Sequence, residues 1–153
     1  VARGHERNAQ GEPEIDGLLI GLGHTNLTCL KVRELLLQKG IDATIFDPVF
    51  LKPLDTETLG DLLATHPFVA TVEEHSLNGG LGMIFNNFLV QNGYKNIDVV
   101  NIGVPDIWVQ FGSNSELMRE LGLDEESIAK RLLQEFSFHD HCPISERKEK
   151  ALF

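Results

Sequence analysis

The feature that most constrains this chain is a repeated alternation. An apolar run of four or five residues is followed by a turn, then by an apolar-studded stretch at helical spacing. Leu18-Leu19-Ile20-Gly21-Leu22 is such a run, and apolar residues at consecutive positions are what a strand covered on both faces requires. Gly23-His24-Thr25 turns the chain. A helical stretch with Leu27, Leu30, Leu35, Leu36 and Leu37 then closes at Lys39-Gly40, with Gly40 placed as a C-cap. Ala43-Thr44-Ile45-Phe46 is a second strand, stopped by Asp47-Pro48. Asp55 is placed to cap a helix carrying Leu59, Leu62 and Leu63, which His66-Pro67 ends. Phe68-Val69-Ala70-Thr71-Val72 is a third strand, rich in strand formers. Gly79-Gly80-Leu81-Gly82 opens a helix with Ile84, Phe85, Phe88 and Leu89, ending near Asn92-Gly93. Val99-Val100-Asn101-Ile102 is a fourth strand. Two helices finish the pattern. Ser113 and Glu116 form a capping box for the first, and Asp124 caps the second, which carries Ile128, Leu132 and Leu133.

Such alternation predicts a three-layer α/β/α domain, with a mostly parallel sheet of four to five strands and right-handed crossovers. The domain is expected over residues 15–136. Residues 1–14 carry no apolar periodicity and read as a linker or irregular arm, and residues 137–153 as a solvated tail. The chain's 153 residues match one ordinary domain. Asp and Glu number 23 against 13 Lys and Arg, a net charge of −10 that disfavours nucleic acid and anionic membranes as partners. No apolar run approaches the roughly 20 residues that span a bilayer. Two cysteines, Cys29 and Cys142, make no disulfide framework, so a cytoplasmic setting is expected.

In a sheet of this kind ligands meet the carboxyl ends of the strands, so residues 21–25, 47–55, 73–82 and 103–112 carry the interest. Gly21-Leu22-Gly23 starts like a dinucleotide fingerprint, but Asn26 stands where a third glycine belongs. Tight turning explains the two glycines as well. Glu73-Glu74-His75 brings two carboxylates and an imidazole out of a strand together, a set suited to general acid–base work. The alternative is structural: one Glu caps a nearby helix or pairs with an Arg, and His75 faces a neighbouring subunit. Gly79-Gly80-Leu81-Gly82 could cradle a phosphate on a helix N-terminus, or could let the helix backbone approach another element closely. His139-Asp140-His141-Cys142 has metal-ligand residue types but lacks the second half of a zinc site, and reads as tail. Cys29 falls inside the first helix and reads as a small core residue.

Three of these segments together resemble one family. Phe46-Asp47-Pro48-Val49-Phe50-Leu51-Lys52-Pro53-Leu54-Asp55 is similar to the D-x-R-F-V-K-P-L-D stretch of 1-deoxy-D-xylulose-5-phosphate synthases, with Pro48-Val49 in place of the usual Arg region. Thr71-Val72-Glu73-Glu74-His75 through Gly79-Gly80-Leu81-Gly82 resembles the T-V-E-E…G-G-x-G segment of transketolase C-terminal domains at large. Asn101-Ile102-Gly103-Val104-Pro105-Asp106, Phe111-Gly112-Ser113 and Leu121-Gly122-Leu123-Asp124 resemble the synthase ending G-L-P-D…G-S…G-L-D. The likeness runs over about residues 18–136.

The resemblance implies a transferase of three domains that uses thiamine diphosphate and Mg²⁺. It would join pyruvate to glyceraldehyde 3-phosphate with loss of CO₂, supplying isoprenoid, thiamine and pyridoxal biosynthesis. The G-D-G metal motif and the cofactor-activating Glu belong to the other two domains, and no G-D-G occurs here. The resemblance thus implies a third, dimer-building domain that is inactive alone, binds no cofactor itself, and partners the cofactor-binding domains in a homodimeric enzyme. Lys52, Asp55, Glu73, Glu74, His75, Gly79, Gly80, Gly82 and Asp106 are its candidates for the interface or active-site rim, with no catalytic, cofactor or metal ligand among them. Two alternatives stand beside it: the C-terminal subunit or domain of a transketolase, and a stand-alone binding or regulatory module.

Overall fold

A computed structural model describes residues 17–39 and 41–139. The expected arm, the Gly40 cap and most of the expected tail lie outside the described residues. Along the described residues run β1 (Gly17–Gly21), α1 (Thr25–Leu37), β2 (Ala43–Phe46), α2 (Thr56–Leu63) and β3 (Phe68–Ser76). After these come α3 (Leu81–Gln91), β4 (Asp98–Val104), α4 (Asn114–Glu120) and α5 (Glu125–His139). The backbone of α5 therefore continues three residues beyond Phe136.

The strands form one sheet in the order β2-β1-β3-β4. All neighbours run parallel, with Leu19 beside Ile45 and Ala70, and Thr71 beside Asn101. Successive strand residues point to opposite faces, and each face has its own core. Leu19, Ile45, Ala70, Val72 and Ile102 pack with Cys29, Val32 and Leu36 of α1 and Ile128, Ala129 and Leu132 of α5. Leu18, Ile20, Phe46 and Val69 pack with Leu59, Leu62 and Leu63 of α2 and Leu81, Phe85, Phe88 and Leu89 of α3. The fold is thus the three-layer α/β/α arrangement that the alternation predicts. Burying two faces explains why the strands are apolar at consecutive positions: β1 is buried throughout.

Not all leucines of α1 face the core. Thr25, Cys29, Val32 and Leu36 point α1 into the core, while Leu27, Leu30 and Leu37 are exposed. The buried residues keep the spacing of roughly one turn that a packed helix needs. Of the five leucines, Leu36 is buried and Leu35 packs against the same core.

Strands β3 and β4 are longer than their apolar runs. β3 continues through Glu73, Glu74 and His75 to Ser76, and β4 reaches Val104. Between the pairs Val72–Ile102 and Ser76–Val104 the β3 chain advances by four residues and β4 by two. This irregular stretch is where the three polar residues sit. A bulge re-aims side chains at a strand end.

Candidate functional site: the carboxyl ends of the strands

The Glu73-Glu74-His75 triplet does not act as a unit. The period of two along β3 puts Val69, Thr71 and Glu73 on the α3 side of the sheet. Glu73 is buried, 1% exposed, and its carboxylate is taken up by the start of α3. Oε2 accepts from Leu81 N–H at 2.7 Å and Oε1 from Gly82 N–H at 3.0 Å. The first amides of a helix have no partner within it, and their dipole favours a negative charge. A carboxylate supplied from the sheet satisfies both demands, so the protein's own anion occupies the place a phosphate would take.

Two of the glycines around this clamp, Gly80 and Gly103, leave room for it. Gly80 is the N-cap of α3, and a Cβ there would land on the Glu73 carboxylate. A Cβ on Gly103 would lie 2.9 Å from Glu73 Cγ. On Gly82 it would meet Asn101 at 2.8 Å and the Thr71 hydroxyl at 3.0 Å. Thr71 donates across the sheet to Asn101 Oδ1 at 2.9 Å. Close approach of the helix start to the sheet therefore accounts for Gly80 and Gly82. Gly79 has a φ of +86° and makes the turn.

Glu74 and His75 emerge on the solvent side. Glu74 Oε1 lies 3.3 Å from Nδ1 of His24, which opens α1 without capping it by its side chain. His75 is exposed, with Nδ1 3.4 Å from the Ser76 carbonyl. The β1–α1 turn is held from below by Thr25. Its hydroxyl accepts from Leu22 N–H at 2.8 Å and donates to the Val72 carbonyl of β3 at 2.9 Å. Gly21-Leu22-Gly23 is thus a turn braced against the next strand, with Gly23 at a φ of +62°.

The other candidates stay apart. Lys52 is exposed in the β2–α2 connection, before a cis Lys52–Pro53 peptide. Asp55 caps α2, its Oδ1 accepting from Thr58 N–H at 3.0 Å. Hydrogen bonds from the Thr58 side chain and N–H hold the Asp55 carboxyl below its ordinary range. Asp106 is exposed after β4. Since β2 and β4 are opposite edges of the described sheet, Asp55 and Asp106 flank the site from two sides and do not converge.

The Ser113–Glu116 capping box is present, and the Ser113 hydroxyl and N–H lower the Glu116 carboxyl. Burial raises the Asp124 carboxyl, but hydrogen bonds led by Ser127 outweigh it and leave the group lowered. Cys29 is fully buried, and its thiol is pushed up to about 12 by that burial, so it is core and no nucleophile. Among the described residues no three His, Cys, Asp or Glu gather as metal ligands. Of the His139-Asp140-His141-Cys142 string, residues 140–142 lie outside them. An open groove of about 450 Å³ runs between α1 and α5, past Leu35, Ala129 and Leu133. It belongs to the helical layer, and none of the candidate residues lines it.

Sequence reasoning missed Thr25, Thr71, Asn101 and His66 as organisers. His66 is buried, with Nε2 2.9 Å from the Thr44 hydroxyl and Nδ1 2.8 Å from the Leu62 carbonyl. Thr25 did carry a local signal, because a Thr hydroxyl commonly bonds the carbonyl three residues before it, here Leu22 at 3.1 Å. The Thr71–Asn101 pair had none, since it depends on strand register.

Residues 9–128 match the family of the transketolase C-terminal domain. The 1-deoxy-D-xylulose-5-phosphate synthase of Chlamydia felis is 45% identical over 130 residues, covering 85% of this chain and 20% of the relative. That of Chlamydia trachomatis serovar D is 44% identical over 146 residues, covering 92% of this chain and 22% of the relative. The chain thus spans about a fifth of the length of the curated relatives it matches. Among solved structures, "Split gene transketolase, inactive beta4 tetramer" has a TM-score of 0.69 and 30% identity. It covers 80% of this chain and 38% of that one.

Proposed function

The chain belongs to the transketolase C-terminal domain family, and from that premise we propose that it serves a 1-deoxy-D-xylulose-5-phosphate synthase as its C-terminal domain. The whole enzyme joins pyruvate and glyceraldehyde 3-phosphate and releases CO₂. The observation that carries this reading is the 42–45% identity to synthases over most of the chain, against 30% for the transketolase neighbour. The domain's part in it is assembly: it holds its place in a homodimeric enzyme and borders the reaction site, while the chemistry resides elsewhere. The setting that goes with such an enzyme is the cytoplasm.

Thiamine diphosphate and Mg²⁺ belong to such an enzyme but do not fit the residues described here. The glycine-rich helix start that would suit a diphosphate is filled by Glu73. The described acidic and imidazole side chains do not cluster around a common point. No step through the cofactor is assigned to this chain.

The neighbour's title supports a second reading, a subunit of a split transketolase. One experiment separates the two. The matching segment of the Chlamydia felis synthase is replaced by this chain, and deoxyxylulose phosphate formation is measured. A soluble, cofactor-loaded chimera that makes the product supports the synthase reading. One that makes none, while the same chain restores a transketolase lacking its C-terminal domain, overturns it.

A further inference from the structure

We propose that residues 107–111, between β4 and α4, form a docking strip that seats on another domain of the same multi-domain enzyme. This rests on the synthase reading and adds to it the surface by which the domain is held.

The strip is Ile-Trp-Val-Gln-Phe, without a charge in a chain whose residues are 24% charged. Ile107 is 60% exposed, Trp108 99%, and Phe111 is fully exposed. Other exposed apolar residues lie on helices with buried opposite faces, such as Leu27 and Leu30 on α1 or Met83 and Val90 on α3, or form the pair Val49 and Phe50 in the β2–α2 connection, and such residues occur on any protein surface. Four apolar side chains within five residues, two of them aromatic, are different, because contiguous apolar surface marks an interaction site. Aromatic anchors of this kind dominate contact energies.

The strip is also held out by its ends. Val104 accepts from Leu77 N–H at 3.0 Å, and Ile107 N–H donates to the Pro105 carbonyl at 2.8 Å. On the far side the Ser113–Glu116 capping box fixes the start of α4. A segment anchored at both ends loses little freedom on binding.

Two observations select the occupant. A free-standing partner needs about 800 Å² from each side, whereas two aromatic side chains supply roughly 300–500 Å². That area suits a domain tethered in the same enzyme, where a high effective concentration lowers the contact required. The relatives hold about four fifths of their length outside the part matched by this chain, which is where such a domain lies. A second copy of this chain is the rival occupant, and the test below reads it as dimerisation through the strip. The occupant is therefore an apolar surface with room for an indole and a phenyl ring.

The test uses the Chlamydia felis chimera and hydrogen exchange over residues 105–112. The expected result is exchange slowed at least about tenfold in the chimera relative to the separate chain. Trp108→Ser with Phe111→Ser should abolish that protection and let mild protease release the domain, while Leu27→Ser with Leu30→Ser should not. Equal exchange in both contexts overturns the proposal, as does a separate chain that dimerises through the strip. Should the chimera misfold, Trp108 is the one tryptophan of this chain. Its fluorescence can be titrated, in a tryptophan-free background, with the Chlamydia felis synthase lacking its matching segment. A blue shift supports docking, and an unchanged spectrum at saturating concentration overturns it. Protection without product formation leaves the strip standing and removes the synthase reading; product formation without protection does the reverse.

Discussion

The carboxyl ends of the two neighbouring strands β3 and β4 solve the same problem in opposite ways. At β3 the chain turns a charged residue inward. Glu73 is buried against α3, and its charge is consumed by two helix amides. At β4 the chain turns apolar residues outward, with Trp108 and Phe111 in solvent. The first end is complete in itself, with Gly80 and Gly103 leaving room for the Glu73 side chain. The second is complete only when something covers it. A buried charge with matched donors marks a structural joint, and uncovered aromatics on fixed ends mark a surface awaiting a partner.

The sharpest way to break this contrast is to empty the β3 joint. Glu73→Ala leaves two buried helix amides without acceptors and opens a void, and should cost about 2–4 kcal/mol of stability by denaturant unfolding. Gly80→Ala should move in the same direction by expelling the carboxylate. A wild-type unfolding midpoint for either would show that the clamp is dispensable. Gly82→Ala forces α3 off Asn101 and Thr71 and should cost about 1–3 kcal/mol, again read from the midpoint. Thr25→Val removes the brace between the first turn and β3 for about 1–2 kcal/mol, and amides near Val72 should exchange faster if the brace is real.

Acid should act less strongly and elsewhere. Asp55, Glu116, Asp124 and Glu125 all have carboxyls lowered in the folded chain. The unfolded chain therefore binds more protons between the lowered values and the ordinary ones. That stability is whole above about pH 4.5 and is lost as pH falls through the folded values. These groups sit at helix starts and at the Lys31–Glu125 contact, 3.2 Å long, so the helical signal should fray first. A melting temperature unchanged from pH 6 down to pH 3 would contradict this. The smallest effect belongs to β4: in the separate chain, Trp108→Ser with Phe111→Ser should shift stability by no more than about 0.5 kcal/mol. A large loss would mean that the strip already packs within the domain.

Much of the fold was legible because its signals are local. Asp55 and Ser113–Glu116 stand as caps where their spacing placed them. The four apolar runs are strands, and the doubly buried pattern correctly required helices on both faces. Glu73 was half legible. Alternation from Val69 through Thr71 aims it at the helix side, and a helix cap was one of its two readings. Which glycine amides it would meet depended on how α3 crosses the sheet. Cys29 is the core residue its place in α1 suggested, whereas which of the leucines share its face was not legible from their number, and only Leu36 is buried with it.

The sequence by itself determined the alternation and the cap positions, because each rests on residues within a few positions of one another, and the family likeness, because it rests on the order of such local segments. Only the tertiary structure decided which helix amides Glu73 meets and that Glu74 and His75 lie exposed, because the first depends on how α3 crosses the sheet and the second lies in the register irregularity against β4. It likewise decided that His24 meets Glu74 and Thr71 meets Asn101. Those partners lie 50 and 30 residues apart along the chain, and only the pairing of parallel strands brings them together.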